Sequence, residues 1–162
     1  MIVTGLVVHP VQMNLDAGEA RGRFAAARVA RLATADASGQ PHLVPVTFAL
    51  HNDAIVTAVD YKPKRSAALK RLANIAVNPR VSLIADYYVE DWKALWWARA
   101  DGVARIVADG SAADGSAGER SAWHDAIDRL VAKYSQYQQR RPAGPVILID
   151  VHHWSGWAYT PG

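Results

Sequence analysis

Six cations, Lys62, Lys64, Arg65, Lys70, Arg71 and Arg80, fall between Asp60 and Asp86 with no acidic residue among them. They follow directly on an apolar β-type run, Ala54–Val59. A strand that ends on clustered cations at a helix start is suited to hold phosphate, because the helix N-terminus adds donors and a partial positive charge. The competing reading is a solvated basic helix face. The net charge of the chain is only +3, so the asymmetry is local and favours phosphate or another polyanionic ligand.

Aromatic residues form the second cluster. Tyr87, Tyr88, Trp92, Trp96 and Trp97 lie within eleven residues, more than a core of this size ordinarily uses there. They are either a core or dimer-interface cluster or a wall on which a flat ring stacks, and one interface site can serve both uses. Other reactive patterns are missing from the chain. No phosphate-binding glycine loop, nucleophile elbow or zinc-protease motif occurs. His9, His42 and His51 stand alone and read as surface or turn residues. His152 and His153 are neighbours, which on a regular strand point to opposite faces and do not share a metal. His124 sits with Asp125 and Asp128 on a helix, as part of a polar face. The acids Asp86, Glu90, Asp91 and Asp101 show no paired spacing for acid–base work. No catalytic residue is therefore assigned and no metal is expected. If the chain is an enzyme, a cofactor supplies the reactive atom.

Composition sets the bounds. A chain of 162 residues, 51% of them apolar, builds one domain with a real core. No stretch is long and apolar enough to cross a membrane, and no signal-like start is present. The absence of cysteine removes disulfides and thiolate chemistry, and suits a cytoplasmic protein. The isoelectric point near 9.3 suggests nucleic acid. However, the remaining cations alternate with acids and no nucleic-acid-binding pattern accompanies them, so none is expected as a partner.

The elements that must position these residues can be read in order. Residues 1–15 form an N-terminal arm. Asp16 and Glu19 make a capping box for a first helix with Ala20, Phe24 and Ala27 on one face. Short β-type runs follow at Val29–Thr34, Leu43–Leu50 and Ala54–Val59, separated by Asp36–Gly39 and His51–Asp53. Pro41 and Pro45 predict that the second of these runs is irregular, or an edge strand, at its start. A helix is predicted over Ser66–Val77, with Leu69, Leu72, Ala73 and Ala76 buried and Lys70, Arg71 and Asn74 on or near the opposite face. Two longer strands, Val81–Val89 and Leu95–Val107, come next, followed by a flexible loop at 109–118. Ser116 and Glu119 cap a helix whose stripe is Trp123, Ile127, Leu130 and Tyr134. The last strand is Pro145–Val151, with an aromatic tail after it. Six or so strands joined mostly by hairpins predict an antiparallel barrel with peripheral helices in a mainly β (α+β) domain.

Several segments together resemble the flavin-binding split-barrel superfamily typified by pyridoxamine phosphate oxidase, and specifically its deazaflavin (coenzyme F420)-dependent actinobacterial branch. These are Gly39-Gln-Pro41 through Thr47, Asp60–Lys64, Leu69–Ile75, Asn78-Pro-Arg-Val-Ser82, Asp91-Trp92, Leu95–Arg99 and Gly156-Trp157. The resemblance implies a single six-stranded split-barrel domain that forms a homodimer with two cofactor sites at the interface. It places the cofactor phosphate on Lys62, Lys64 or Arg65 and on Lys70, Arg71 and Asn74. It lays the ring against Val44, Pro45, Val46 and Thr47, with Trp92, Trp96, Trp97 and Trp154 as candidates to close the site from the partner. Two basic clusters suit a cofactor with more negative charge than flavin mononucleotide (FMN), so coenzyme F420 is the expected cofactor and FMN the alternative. The implied activity is hydride transfer to or from a small organic substrate, and a non-catalytic F420 carrier would use the same anion site.

Overall fold

The structure, a computed structural model, describes residues 12–59, 67–108 and 116–159. Strand β1 (Gln12–Leu15) leads into helix α1 (Ala17–Ala26). Strands β2 (Ala30–Ala35), β3 (Pro41–Val46), β4 (Ala49–His51) and β5 (Ala54–Ala58) follow, then helix α2 (Ala67–Val77). Strand β6 (Arg80–Tyr87), a 3₁₀ turn (Trp92–Ala94) and strand β7 (Trp96–Val107) precede helices α3 (Ala117–Lys133) and α4 (Ser135–Gln139), and strand β8 (Val146–Tyr159) closes the described chain. The strands form one antiparallel sheet in the order β3-β2-β6-β7-β8-β5-β4, with β1 added to the second half of β8. The expected mainly β fold with peripheral helices is what forms, but with eight strands in place of six. Residues 12–15 of the expected arm are strand, and the aromatic tail continues β8 to Tyr159.

Local chemistry accounts for the boundaries. Asp16 accepts the Glu19 N–H at 2.8 Å and Glu19 accepts the Asp16 N–H at 3.0 Å, and Ser116 and Glu119 repeat the arrangement at α3. The β2–β3 turn is held by the Asp36 carboxylate, which accepts from the Ser38 and Gln40 backbone N–H groups. Gly39 supplies a φ of 85° there. Strand β3, with its two prolines, lies at the sheet edge as expected.

The chain bends between β3 and β4, and a side chain takes over the backbone pairing. The Phe48 N–H donates to the Tyr134 phenol oxygen at 3.0 Å, and that hydroxyl faces two carbonyls, Phe48 at 2.8 Å and Arg28 at 2.9 Å. Tyr134 and Phe48 are both buried, so Tyr134→Phe leaves an N–H without a partner in the interior. The expected cost is about 2 kcal/mol of unfolding free energy, read from the denaturant midpoint. A loss of less than about 0.5 kcal/mol would show that the phenol does not hold this bend.

Two apolar clusters fix the architecture. The barrel interior contains Leu32, Ile55, Leu83 and Ile149, closed by Ala20 and Phe24 of α1 and Ile75 of α2. The second cluster packs Ala126, Ile127, Leu130 and Tyr134 of α3 and its C-cap onto Val56, Ala58 and Val146 on the opposite side of the sheet. Helix α3 therefore covers the outer face of β4, β5 and the first half of β8.

Candidate cofactor face

The outer face of β3, β2, β6 and the facing halves of β7 and β8 carries no covering helix among the described residues. Strand register puts Leu43, Ala33, Ser82, Asp101 and His153 in one row across it. A second row is Pro45, Arg31, Ile84, Arg99 and Ser155, and a third is Asp86, Trp97 and Trp157. Leu43 is 63% exposed, large for an aliphatic side chain in the middle of a strand. The polar members are partly paired with one another. Arg31 bonds Asp86, Arg99 bonds Asp101 at 3.0 Å, and the Ser82 hydroxyl donates to Asp101 at 2.7 Å. Ion pairs of this exposure contribute little to stability. Their effect is to pair the charges of Arg31, Arg99, Asp86 and Asp101 with one another across this face.

An open cavity of about 620 Å³ sits on this face, lined in part by Ala35, Pro41, Arg80, Ser82, His152 and His153. Its size is that of an ordinary small-molecule site. The expectation that His152 and His153 face opposite ways is overturned. The β7–β8 register shifts between Asp101 and Gly102, pairing His153 with Asp101 and Val151 with Gly102, so His152 is the extra residue of a bulge. Both imidazoles then border the same cavity. Gly102 is required at this bulge, since a Cβ there would lie 2.3 Å from the Asp150 carbonyl oxygen. Sequence carries no signal for it, because a bulge is a property of two paired strands. Among the described residues no group of three or more metal-ligating side chains is gathered to hold an ion.

The expected site residues divide between several environments. Lys62, Lys64 and Arg65 lie outside the described residues. Lys70 is not the uncompensated cation its sequence context suggests: it donates to Asp36 at 3.2 Å, 34 residues away. The Ser38 hydroxyl, followed by Lys70, holds the Asp36 carboxyl well below the usual carboxylate range. This bond ties the start of α2 to the β2–β3 turn. Arg71 is half-buried on the same helix. Asn74, expected near the solvent face, is instead buried and donates to the Thr34 hydroxyl at 3.0 Å, pinning α2 to β2. Ile75 is buried beside it, whereas Ala73 and Ala76 are exposed, so the buried stripe is rotated from the predicted one.

On β3, Val44 and Val46 belong to the barrel interior and Pro45 points outward, so this strand offers a ring its free backbone edge and the proline. Thr47 is hydrogen-bonded to the Tyr137 hydroxyl at 2.7 Å. The tryptophans do not form one wall within a chain. Trp154 meets the Phe24 edge at 5.3 Å, and Trp96 packs against the core with the Arg23 guanidinium 5.8 Å from its ring centroid. Trp97 is on the outer face, and Trp92 is 74% exposed on the 3₁₀ turn. His42, read from sequence as an isolated surface residue, is half-buried on β3 opposite Thr34, and its Nδ1 is buried without a hydrogen-bond partner. His42 alternates with Leu43 along the strand, so its ring lies on the Val44 side and away from the outer face.

The family model for pyridoxamine 5'-phosphate oxidase matches residues 17–158. Among solved structures, the FAD-binding protein of Mesorhizobium loti is 21% identical, with a TM-score of 0.66 over 91% of this chain and 97% of that one. The FAD binding protein of Mycobacterium smegmatis is 16% identical, with a TM-score of 0.58 over 91% and 96%. HutZ, the heme storage protein of Vibrio cholerae, is 16% identical, with a TM-score of 0.62 over 91% and 98%. No curated protein sequence matches the chain.

Proposed function

The chain belongs to the pyridoxamine 5'-phosphate oxidase family, and from that premise we propose that it is a homodimeric oxidoreductase of the cytoplasm that uses the deazaflavin coenzyme F420 on a small organic substrate. The observation that carries this reading is the uncovered sheet face beside the edge strand β3 and the start of α2. A second copy of the chain would cover that face and turn an open surface into a cleft. Membership of the family supports a flavin-type cofactor in general, and the density of cations around α2 is the reason to prefer the more highly charged deazaflavin.

When bound, the deazaflavin supplies a hydride carrier at its central ring carbon. The chain binds and orients it. Arg71, with Lys62, Lys64 and Arg65, would hold the phosphodiester and acidic tail, while Lys70 keeps α2 against the β2–β3 turn through Asp36. The free edge of β3 would offer its backbone hydrogen-bonding groups to the ring. Trp92 and Trp97 of the second copy would exclude water from the cofactor, which would strengthen the polar contacts that hold it. A binding or carrier role without turnover is the second reading, since the Mesorhizobium and Vibrio proteins are named for what they bind or store.

Titration of the protein with F420 and with FMN side by side, followed by fluorescence, tests the reading. Submicromolar binding of F420 alone is expected, and tighter binding of FMN would make the flavin enzyme the better answer. Charge reversal at Arg71→Glu or Lys64→Glu should weaken F420 binding about ten- to a hundredfold, the value of one charge-assisted contact. Identical titration curves for wild type and both variants would remove the basic segment from the site. Turnover of reduced F420 with an organic acceptor separates enzyme from carrier.

A further inference from the structure

Lys133 ends α3 half-buried, with its amine against aromatic rings, 3.8 Å from the Phe48 centroid and 5.7 Å from that of Tyr134. It donates one hydrogen bond, to the Ala25 carbonyl at 3.1 Å. Arg129 lies one turn earlier on the same helix face. Among the described residues neither Lys133 nor Arg129 has a carboxylate within ion-pair distance. Together with Ala25, Ala49 and Leu50 they line an open cavity of about 380 Å³. An amine and a guanidinium without an acid at the wall of one cavity make a seat for an anion, with a nucleophile beside it.

Desolvation, and then the Arg28 guanidinium, pull the Lys133 amine from 10.5 down to about 8. The ring faces favour the ammonium and oppose part of that shift. The other lysines in the described segments differ. Lys70 is engaged by Asp36, and Lys93 stands exposed on the 3₁₀ turn. At pH 7 a shift of this size raises the free-amine fraction about 300-fold over an ordinary lysine. The lower basicity removes roughly tenfold of that, on the slope of about 0.4–0.5 known for thiols. After allowance for half-burial and the ring contacts, a preference of about tenfold remains.

We propose that Lys133 is a site of covalent acylation by small acyl phosphates, which seat their phosphate against Arg129. The free amine attacks the acyl carbon, the bond from that carbon to the phosphate oxygen breaks, and inorganic phosphate leaves carrying the proton given up by nitrogen. The product is a neutral amide, and no oxidant or reductant is needed. The acyl-lysine loses the cationic contact with Phe48, the residue that follows Thr47 in the β3–β4 bend. This inference is independent of which cofactor the protein binds.

Incubating the full chain with acetyl phosphate at pH 7 and following each lysine by mass spectrometry tests it. Lys133 should be acetylated about tenfold faster than Lys93, with a rate that levels off between pH 8 and 9. A Lys133 rate equal to or below that of Lys93 overturns the proposal. Arg129→Ala should slow labelling of Lys133 by acetyl phosphate several-fold and leave its labelling by neutral acetic anhydride unchanged. Equal effects on the two reagents, or none on either, would overturn the phosphate seat.

Discussion

In the proposed homodimer, Leu43→Glu and Trp97→Glu should each leave a monomer of 17.6 kDa. Both side chains stand on the sheet face that no described element covers, in two of its three rows. An obligate interface of this type buries more than about 2,000 Å² in total. In a two-fold dimer each substitution appears twice, and each places an unpaired carboxylate in a surface that must lose its water. An uncompensated buried charge costs several kcal/mol, so association should weaken by at least about a thousandfold. Leu43 is the cleaner test because it is mostly exposed already and contributes little to the monomer's own core. Light scattering across the micromolar range reads the outcome. A wild-type chain that is monomeric there, or a Leu43→Glu variant with unchanged mass, would place the dimer contact elsewhere or abolish it, and the two-chain site would go with it.

Phe24→Ala should cause the largest loss of stability from a single substitution. Phe24 is fully buried, with its ring 4.7 Å from Phe48 and 5.3 Å from Trp154, so it joins α1 to the β3–β4 bend and to β8. Truncating a buried phenylalanine costs about 3–5 kcal/mol through lost burial and the cavity left behind. For a chain of this length that lowers the melting temperature by roughly 10 °C. Chemical and thermal denaturation of the two proteins decide it. A difference below about 1 kcal/mol would mean that α1 only rests on the barrel and does not close it.

The features legible in the sequence were those set by neighbours along the chain. The two capping boxes, the Asp36–Gly39 turn, the edge prolines and the Ile127–Leu130–Tyr134 stripe each depend on residues a few positions apart. The rotation of α2 was not legible. Alanine is small enough to sit on either face, and a buried Asn74 is tolerated only because Thr34, on another strand, accepts its hydrogen bond. The same limit hid the Lys70–Asp36 pair and the bulge at His152, which depend on register between distant segments. The unpartnered ring nitrogen of His42 is equally invisible in sequence, where it is one histidine among six. Thus the fold could be read, whereas the cavity on the sheet face and its two histidines could not.

Strand β8 has a kinetic consequence. Its 14 residues pair with β7 along nearly their whole length, with β5 through the first half and with β1 through the second. All three partners precede it in the chain, and β1 is more than a hundred residues away. During synthesis β1, β5 and β7 therefore wait with open edges until the segment after Pro145 has emerged. Closing such long loops is slow, and the waiting edges are the part of the molecule most prone to pairing with another chain. Refolding should be limited by the docking of this one strand, and a chain shortened before Val146 should aggregate instead of forming a smaller barrel.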